Sequence, residues 1–427
     1  MVLLSGIAKR KDIAAIINQA IVSATNFFTG AIVARACAKE TFGVYMLGFS
    51  IVLFLIGTQD SLILSPYTVY NPTLKGNDGA RYAGSTLIHH FTFSAIVTLV
   101  LGVASALLSL GIGPQNLPPV LASLAVVITF ILLRDYARRF CFANLRMNVA
   151  IVIDSSVGVA QIAGLLLLFH LGMLSASNAY LVIGFVCCLI SLGWLAWTRK
   201  RFILIFSSSI SDFAKNWSYG KWLFAGSIVY MVSVQLYPWI LVSFYGPAAV
   251  ATLAACLGLV TLVNPLTLGI SNFIGPKMAH AYIQGIEELG QVVIKTTIFI
   301  VAVFGIVSMV IIFYGDQFIV LIYSPKYAGN GLIVLLLAIS KFIIAAATPF
   351  GYALRTMERT DVTFKCGLIQ LVITVSLGLG LVKMYGPLGV AYSYLLNSLT
   401  TCLVTYGYYL SKTRNILLEI QTIGSLK

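Results

Sequence analysis

The sequence predicts an all-α integral membrane protein of about twelve transmembrane helices, in two six-helix lobes related by a parallel pseudo-twofold repeat. Three observations predict it. Of 427 residues, 59% are hydrophobic and only 9% are charged, whereas soluble domains carry about 25% charged residues. A chain this poor in charge cannot cover a globule of its size with polar surface. Apolar runs of about 20 residues, the length that crosses a hydrocarbon core, occur twelve times. Landmarks of the first six runs return in the second six at a nearly constant offset.

The runs fall at 13–34, 42–65, 83–110, 118–141, 147–170, 176–198, 222–244, 249–275, 289–314, 329–354, 363–384 and 388–410. The first follows Lys9-Arg10-Lys11 and is too long for the apolar region of a signal peptide, so it reads as a span. With the N-terminus in the cytoplasm, 21 of the 27 Lys and Arg fall on cytoplasmic segments. Among them are Lys75, Arg81, Arg134, Arg138, Arg139, Arg146 and the Arg199-Lys200-Arg201 run. Four fall outside: Arg35, Lys39, Lys326 and Lys383. Lys295 and Lys341 lie within spans. This bias fixes the orientation with both termini cytoplasmic.

Three landmarks carry the repeat. Phe42-Gly43-Val44-Tyr45 corresponds to Val250-Ala251-Thr252-Leu253, Pro66 to Pro276, and Gly172 to Gly386, at offsets of 208, 210 and 214 residues. Six spans per half start both halves on the same face, which makes the repeat parallel. The domains are therefore an N-terminal lobe at 1–198, a cytoplasmic linker at 199–221 and a C-terminal lobe at 222–427. The linker is basic and partly amphipathic, with Phe202, Ile203, Ile205, Phe206, Phe213 and Trp217, and reads as a segment lying along the membrane surface.

Several function classes are excluded. The net charge of +14 comes from short clusters between apolar runs, the pattern of membrane orientation and not of nucleic-acid binding. None of the seven cysteines (Cys37, Cys141, Cys187, Cys188, Cys256, Cys366 and Cys402) forms a CxxC pair, and most lie in apolar runs. They read as small hydrophobes, with no metal site. No P-loop occurs, and no loop is long enough for a nucleotide-binding or catalytic domain. The expectation is a transporter and not an enzyme, with no catalytic residue and no cofactor beyond a coupling Na+ or H+.

Lys39–Gly48 (KETFGVYMLG), the Pro276–Gly290 connection, Ile322–Leu337 (IYSPKYAGNGLIVLLL) and Met384–Leu395 (MYGPLGVAYSYL) carry a resemblance over essentially the whole chain. The sequence resembles the polysaccharide-biosynthesis flippases of the multidrug/oligosaccharidyl-lipid/polysaccharide exporter superfamily. The resemblance implies a multi-pass protein of the bacterial inner membrane. It would flip undecaprenyl-pyrophosphate-linked oligosaccharide repeat units by alternating access, for cell-surface polysaccharide such as O-antigen or exopolysaccharide. Its partners would be that lipid-linked substrate, membrane lipids and polysaccharide polymerase machinery. The alternative is a cation-coupled multidrug exporter of the same superfamily.

Charges inside spans are costly and mark candidate sites. Asp60 lies in the cytoplasmic half of span two, Asp154 early in span five, and Arg134, Asp135 and Arg138 on the last turns of span four. They read either as an ion-pair cluster stapling the first lobe or, at Asp60 and Asp154, as an ion-coupling site. Lys341 lies near the centre of span ten, too deep to snorkel to either interface, with no Asp or Glu in the middle of any second-half span. Lys341, Arg134 and Arg138 are the candidate ligands of an anionic headgroup. Ala338 and Ala345, at i−3 and i+4 from the lysine, are expected to leave room for it. The in-span amides, among them Asn18, Gln161, Asn264, Gln370 and Asn397, are expected to bond neighbouring helices.

Overall fold

The computed structural model describes residues 2–74, 76–111, 114, 116–359 and 361–425, with side chains from residue 14 onward except 268, 269, 271–273, 419–421 and 423–425. Lys75 and Lys427, counted among the cytoplasmic charges, lie outside the described residues. The described residues are almost wholly helical. Eleven of their helices are long and apolar enough to cross a membrane. A twelfth, α15 (Pro387–Ser425), is long enough, but Asn397, Ser398, Thr400 and Thr401 dilute its apolar run.

The chain divides into two compact units, one ending at Ala254 and one beginning at Ala255. The first holds α1 (Val2–Ala36), α2 (Lys39–Gln59), α3 (Ser65–Tyr70), α4 (Asn77–Leu108), α5 (Leu117–Ala143), α6 (Met147–His170), α7 (Ala176–Thr198), α8 (Phe206–Tyr245) and the first half of α9 (Pro247–Val260). A π-helical turn, Asp60–Leu64, joins α2 to α3 without ending the span. Helix α5 sits centrally, packed on α2, α4, α6 and α7. Leu64, Tyr67, Tyr82, Leu133, Tyr136, Phe140 and Trp194 form the core at its C-terminal half.

The second unit continues with α10 (Asn264–Gln284), α11 (Ile286–Ile322), α12 (Gly331–Thr356), α13 (Asp361–Ile373), α14 (Leu379–Tyr385) and α15. A 3-10 turn, Thr261–Val263, interrupts the path from α9 into α10, and a π-helical turn, Thr374–Gly378, joins α13 to α14. Met278, Leu289, Val293, Ile300, Phe304, Leu354 and Tyr409 anchor its core.

The repeat landmark Gly172/Gly386 has a backbone cause. Both residues are left-handed, with φ of 67° and 60°, a conformation that disfavours a Cβ. Each turns the chain from one span into the next.

The linker differs from a separate surface segment. After a 3-10 turn at Arg199–Arg201, the Ile203 amide donates to the Ala80 carbonyl at 3.0 Å. From Phe206 the chain is helical and runs unbroken into the seventh span, giving a 40-residue α8. Its first half docks on α4. Tyr82 donates to Asn216 Oδ1 at 2.6 Å, and His89 Nε2 donates to the Ser209 carbonyl at 2.8 Å. Lys215 covers the Tyr70 ring at 4.1 Å. Further along, α8 lies on α2. Gly220 meets the backbone of Ser61 and Leu62, where a Cβ would clash. Ser61 donates to Ser227 Oγ at 3.1 Å, and Trp239 Nε1 donates to Ser50 Oγ at 3.0 Å.

Candidate functional site

The charged residues of the first unit resolve into pairs built around α5. Its last turns present Arg134, Asp135, Arg138 and Arg139 in succession. Arg134 reaches Asp154 on α6, and the other Asp154 oxygen, Oδ2, accepts from Asn18 Nδ2 of α1 at 2.8 Å. Arg138 turns back to Asp135 on its own helix at 3.2 Å. Arg139 reaches Asp60 at 2.9 Å, and Ser65 Oγ donates to Asp60 Oδ2 at 3.3 Å. Three carboxylates thus meet three guanidiniums, all three guanidiniums from one helix.

Burial separates the pairs. The Asp154 side chain is fully covered and Arg134 is 17% exposed. Asp135 and Arg138 are nearly as enclosed, at 5% and 15%. Asp60 and Arg139 are 29% and 39% exposed, so that pair alone has substantial access to its surroundings. Arg134 and Arg138, proposed as ligands for an anion, both have their charge matched by a carboxylate within the unit. Asp154, proposed for ion coupling, has its two oxygens taken by a guanidinium and an amide.

Asp60 owes its position to the π-helical turn. The preceding residue, Gln59, is buried, donates to the Leu132 carbonyl of α5 at 3.1 Å and accepts from His90 Nδ1 of α4 at 3.1 Å. The pinned side chain holds the end of α2, and the wider turn that follows aims Asp60 at Arg139. Such π-bulges occur often at functional sites. The His89-His90 pair is split between two neighbours, His90 bonded to Gln59 and His89 to α8.

The second unit holds Lys341, half-buried on α12. Its ammonium donates to Asn264 Oδ1 at 3.3 Å. Asn264 is the first residue of α10, between the 3-10 turn and Pro265. Among the described residues no carboxylate pairs with Lys341. Asp316, on α11, is engaged elsewhere, accepting from the Asn330 amide at the start of α12 at 3.1 Å. Lys295, the other lysine inside a predicted span, is exposed.

The small residues flanking Lys341 do not open space beside it. Ala338 and Ala345 are 1% and 4% exposed. Both alanines face packed protein, so any space for a headgroup at Lys341 lies on another side of the lysine. The pairing of Asp60 with Arg139 and of Lys341 with Asn264 was not assigned from the sequence. Two signals pointed to Asn264: it is an in-span amide, expected to bond a neighbouring helix, and it precedes a proline inside an apolar run, which marks a helix interruption.

No family profile and no curated protein matches the sequence. Solved structures do match. The inward-facing conformation of a multidrug resistance MATE family transporter of the MOP superfamily superposes with a TM-score of 0.72 at 15% identity, covering 94% of this chain and 98% of that one. Lipid II flippase MurJ, in an inward closed conformation, superposes with a TM-score of 0.73 at 15% identity, covering 100% of this chain and 93% of that one. A MOP superfamily transporter from Pyrococcus furiosus, whose reverse binding-pocket polarity was taken to suggest a different function, gives 0.65 at 13% identity over 96% and 95%.

The chain shares the fold of these structures. The all-helical, multi-pass architecture expected from composition and span count is the architecture of these neighbours, and they are transporters, not enzymes. The fold hosts both a multidrug transporter and a lipid II flippase, so it does not by itself assign a cargo.

Proposed function

We propose that the chain is an inner-membrane flippase for undecaprenyl-pyrophosphate-linked oligosaccharide repeat units, working by alternating access to supply cell-surface polysaccharide assembly. One observation carries the proposal. The three in-span acids of the first unit are each matched by an arginine, while among the described residues Lys341 meets only the neutral amide of Asn264. Lys341 thus leaves a positive charge unmatched by any carboxylate near the middle of its helix, which suits an anionic cargo.

The physical problem of the reaction is desolvation. A pyrophosphate and several sugars lose hydrogen bonds to water on entering hydrocarbon, at a cost of roughly 2–7 kcal/mol for each uncompensated polar group. A fixed ammonium offsets part of that for the pyrophosphate, and no bond is made or broken. The lipid tail stays in the bilayer, consistent with the lipid-linked cargo of the MurJ neighbour. A cation-coupled drug exporter, the alternative on this fold, requires surplus negative charge along its path instead.

The test is transport in proteoliposomes holding a fluorescent undecaprenyl-pyrophosphate oligosaccharide. Lys341→Ala should cut the flipping rate about tenfold or more, the loss of one charge-assisted contact. Lys341→Arg should retain part of the rate because the charge persists. Normal flipping by Lys341→Ala, or efflux of a cationic dye in place of lipid flipping, overturns the proposal.

A further inference from the structure

We infer that Asn264 is a specificity-determining residue of this transporter: its neutral amide holds the Lys341 ammonium in place while leaving its charge available to a diphosphate. The inference rests on the reading of Lys341 as the headgroup ligand. It adds a second residue, and it adds a reason why that residue is an amide.

Lys341 offers three donors. One goes to Asn264 Oδ1 at 3.3 Å, just beyond the usual 2.7–3.2 Å of an N–H···O bond. The contact orients the ammonium, and two donors remain for a ligand. Asn264 itself is held at a set point of the backbone. The 3-10 turn Thr261–Val263 precedes it, and it takes up the helical conformation as the first residue of α10, ahead of Pro265. Thr261 Oγ1 donates to the Gly258 carbonyl at 3.0 Å, and Thr267 Oγ1 donates to the Val263 carbonyl at 3.2 Å. The interruption between α9 and α10 is therefore bonded on both sides, and the amide is presented from a defined position.

Charge decides what such a seat selects. An aspartate at 264 has the same shape as asparagine and would accept the same hydrogen bond. It would also cancel the ammonium and repel a phosphate. Elsewhere in this molecule in-span cations are treated that way, since Arg134, Arg138 and Arg139 each have an Asp. Lys341 has an amide instead. If the contact only tied α12 to α10, an ion pair would do it at least as well. Here the two roles make opposite predictions for one substitution.

The full-length purified protein is tested for binding of inorganic pyrophosphate by calorimetry, with thermal unfolding measured in parallel. Undecaprenyl pyrophosphate and phosphatidylglycerol serve as competitors. Wild type should bind pyrophosphate and release it to undecaprenyl pyrophosphate but not to phosphatidylglycerol. Release to phosphatidylglycerol would make the seat a general lipid-phosphate site and overturn the specificity. Asn264→Asp should unfold at or above the wild-type temperature, yet lose about tenfold or more in affinity. Asn264→Ser, neutral and still an acceptor, should stay within about threefold. Asn264→Glu is made beside the aspartate variant, so that one folded acidic variant suffices. If Lys341→Ala binds like wild type, the underlying reading of Lys341 fails. If Lys341→Ala loses binding while the folded acidic variants keep it, the role of Asn264 alone is overturned.

Discussion

Asp154 and Asp60 carry the same charge in the same unit and are held differently, so neutralising each should read differently. Asp154→Asn leaves Arg134 buried beside amides alone, and breaking a buried pair on one side costs about 3–5 kcal/mol. We expect poor expression or a lowered unfolding temperature, with recovery when Arg134→Met is added, because both charges are then gone. Wild-type stability in the single variant would show that the pair holds nothing together. Asp60→Asn should cost less, since its pair is about a third exposed. If Asp60 carries a coupling Na+ or H+, the variant should express normally and flip without dependence on either gradient. Retained gradient dependence would remove Asp60 from the mechanism. The sequence made these residues visible because charges in apolar runs stand out. It left their partners hidden, since spacing reports on one helix at a time. Arg138 and Asp135 are three residues apart, but Arg139 and Asp60 meet only when α5 packs on the end of α2. The same holds for Lys341 and Asn264, 77 residues apart.

At the scale of elements, the second unit contains a ladder that the amide positions foreshadowed. Along α13 and the turn after it, Cys366, Gln370 and Thr374 recur every four residues. Along α15, Thr405, Thr401 and Asn397 recur in the opposite direction. Cys366 Sγ lies 3.7 Å from Thr405 Oγ1, Gln370 Nε2 donates to Thr401 at 2.8 Å, and Asn397 Nδ2 donates to Thr374 at 3.3 Å. Interhelical hydrogen bonds in membranes average about 0.6 kcal/mol. Gln370→Leu should therefore lower stability by about 0.6 kcal/mol, and Gln370→Leu with Thr401→Val by little more, because the two share one bond. Additive losses in the double variant would show that they act separately. Other elements were less legible. Phe206, Ile210, Phe213 and Trp217 fit a surface-lying helix and a helix continuous with the next span equally well. Ser209, Asn216 and Gly220, buried against α4 and α2, settle the matter in the fold. The π-helical turn at Asp60 has no periodic signature, because it depends on the Gln59 side chain being held from two directions.

For the whole molecule, the fold class was legible because composition, run length and charge bias each test a different physical demand of the bilayer and agree. The proposed cargo was not, because the fold includes both a multidrug transporter and a lipid II flippase, and the charge left without a partner at Lys341 emerges only after pairing. That pairing also bears on how the chain is made. Spans enter the membrane in order during synthesis, and α5 arrives with three arginines. Arginine at a helix centre costs roughly 2.5–3.5 kcal/mol on insertion. Asp60 is already present when α5 emerges, whereas Asp154 comes with α6, after the three-residue turn at 144–146. The α5 helix should therefore linger at the insertion machinery until α6 joins it, and the two should partition into lipid as a hairpin. Site-specific crosslinking from α5 in ribosome-stalled chains checks this. Contact with the insertion channel should persist in chains whose exposed part ends near residue 146, and should fall once the exposed part passes residue 170. In Asp154→Asn it should persist longer. Release of α5 at the same chain length with and without Asp154 would show that the arginines are accommodated before their partner is made.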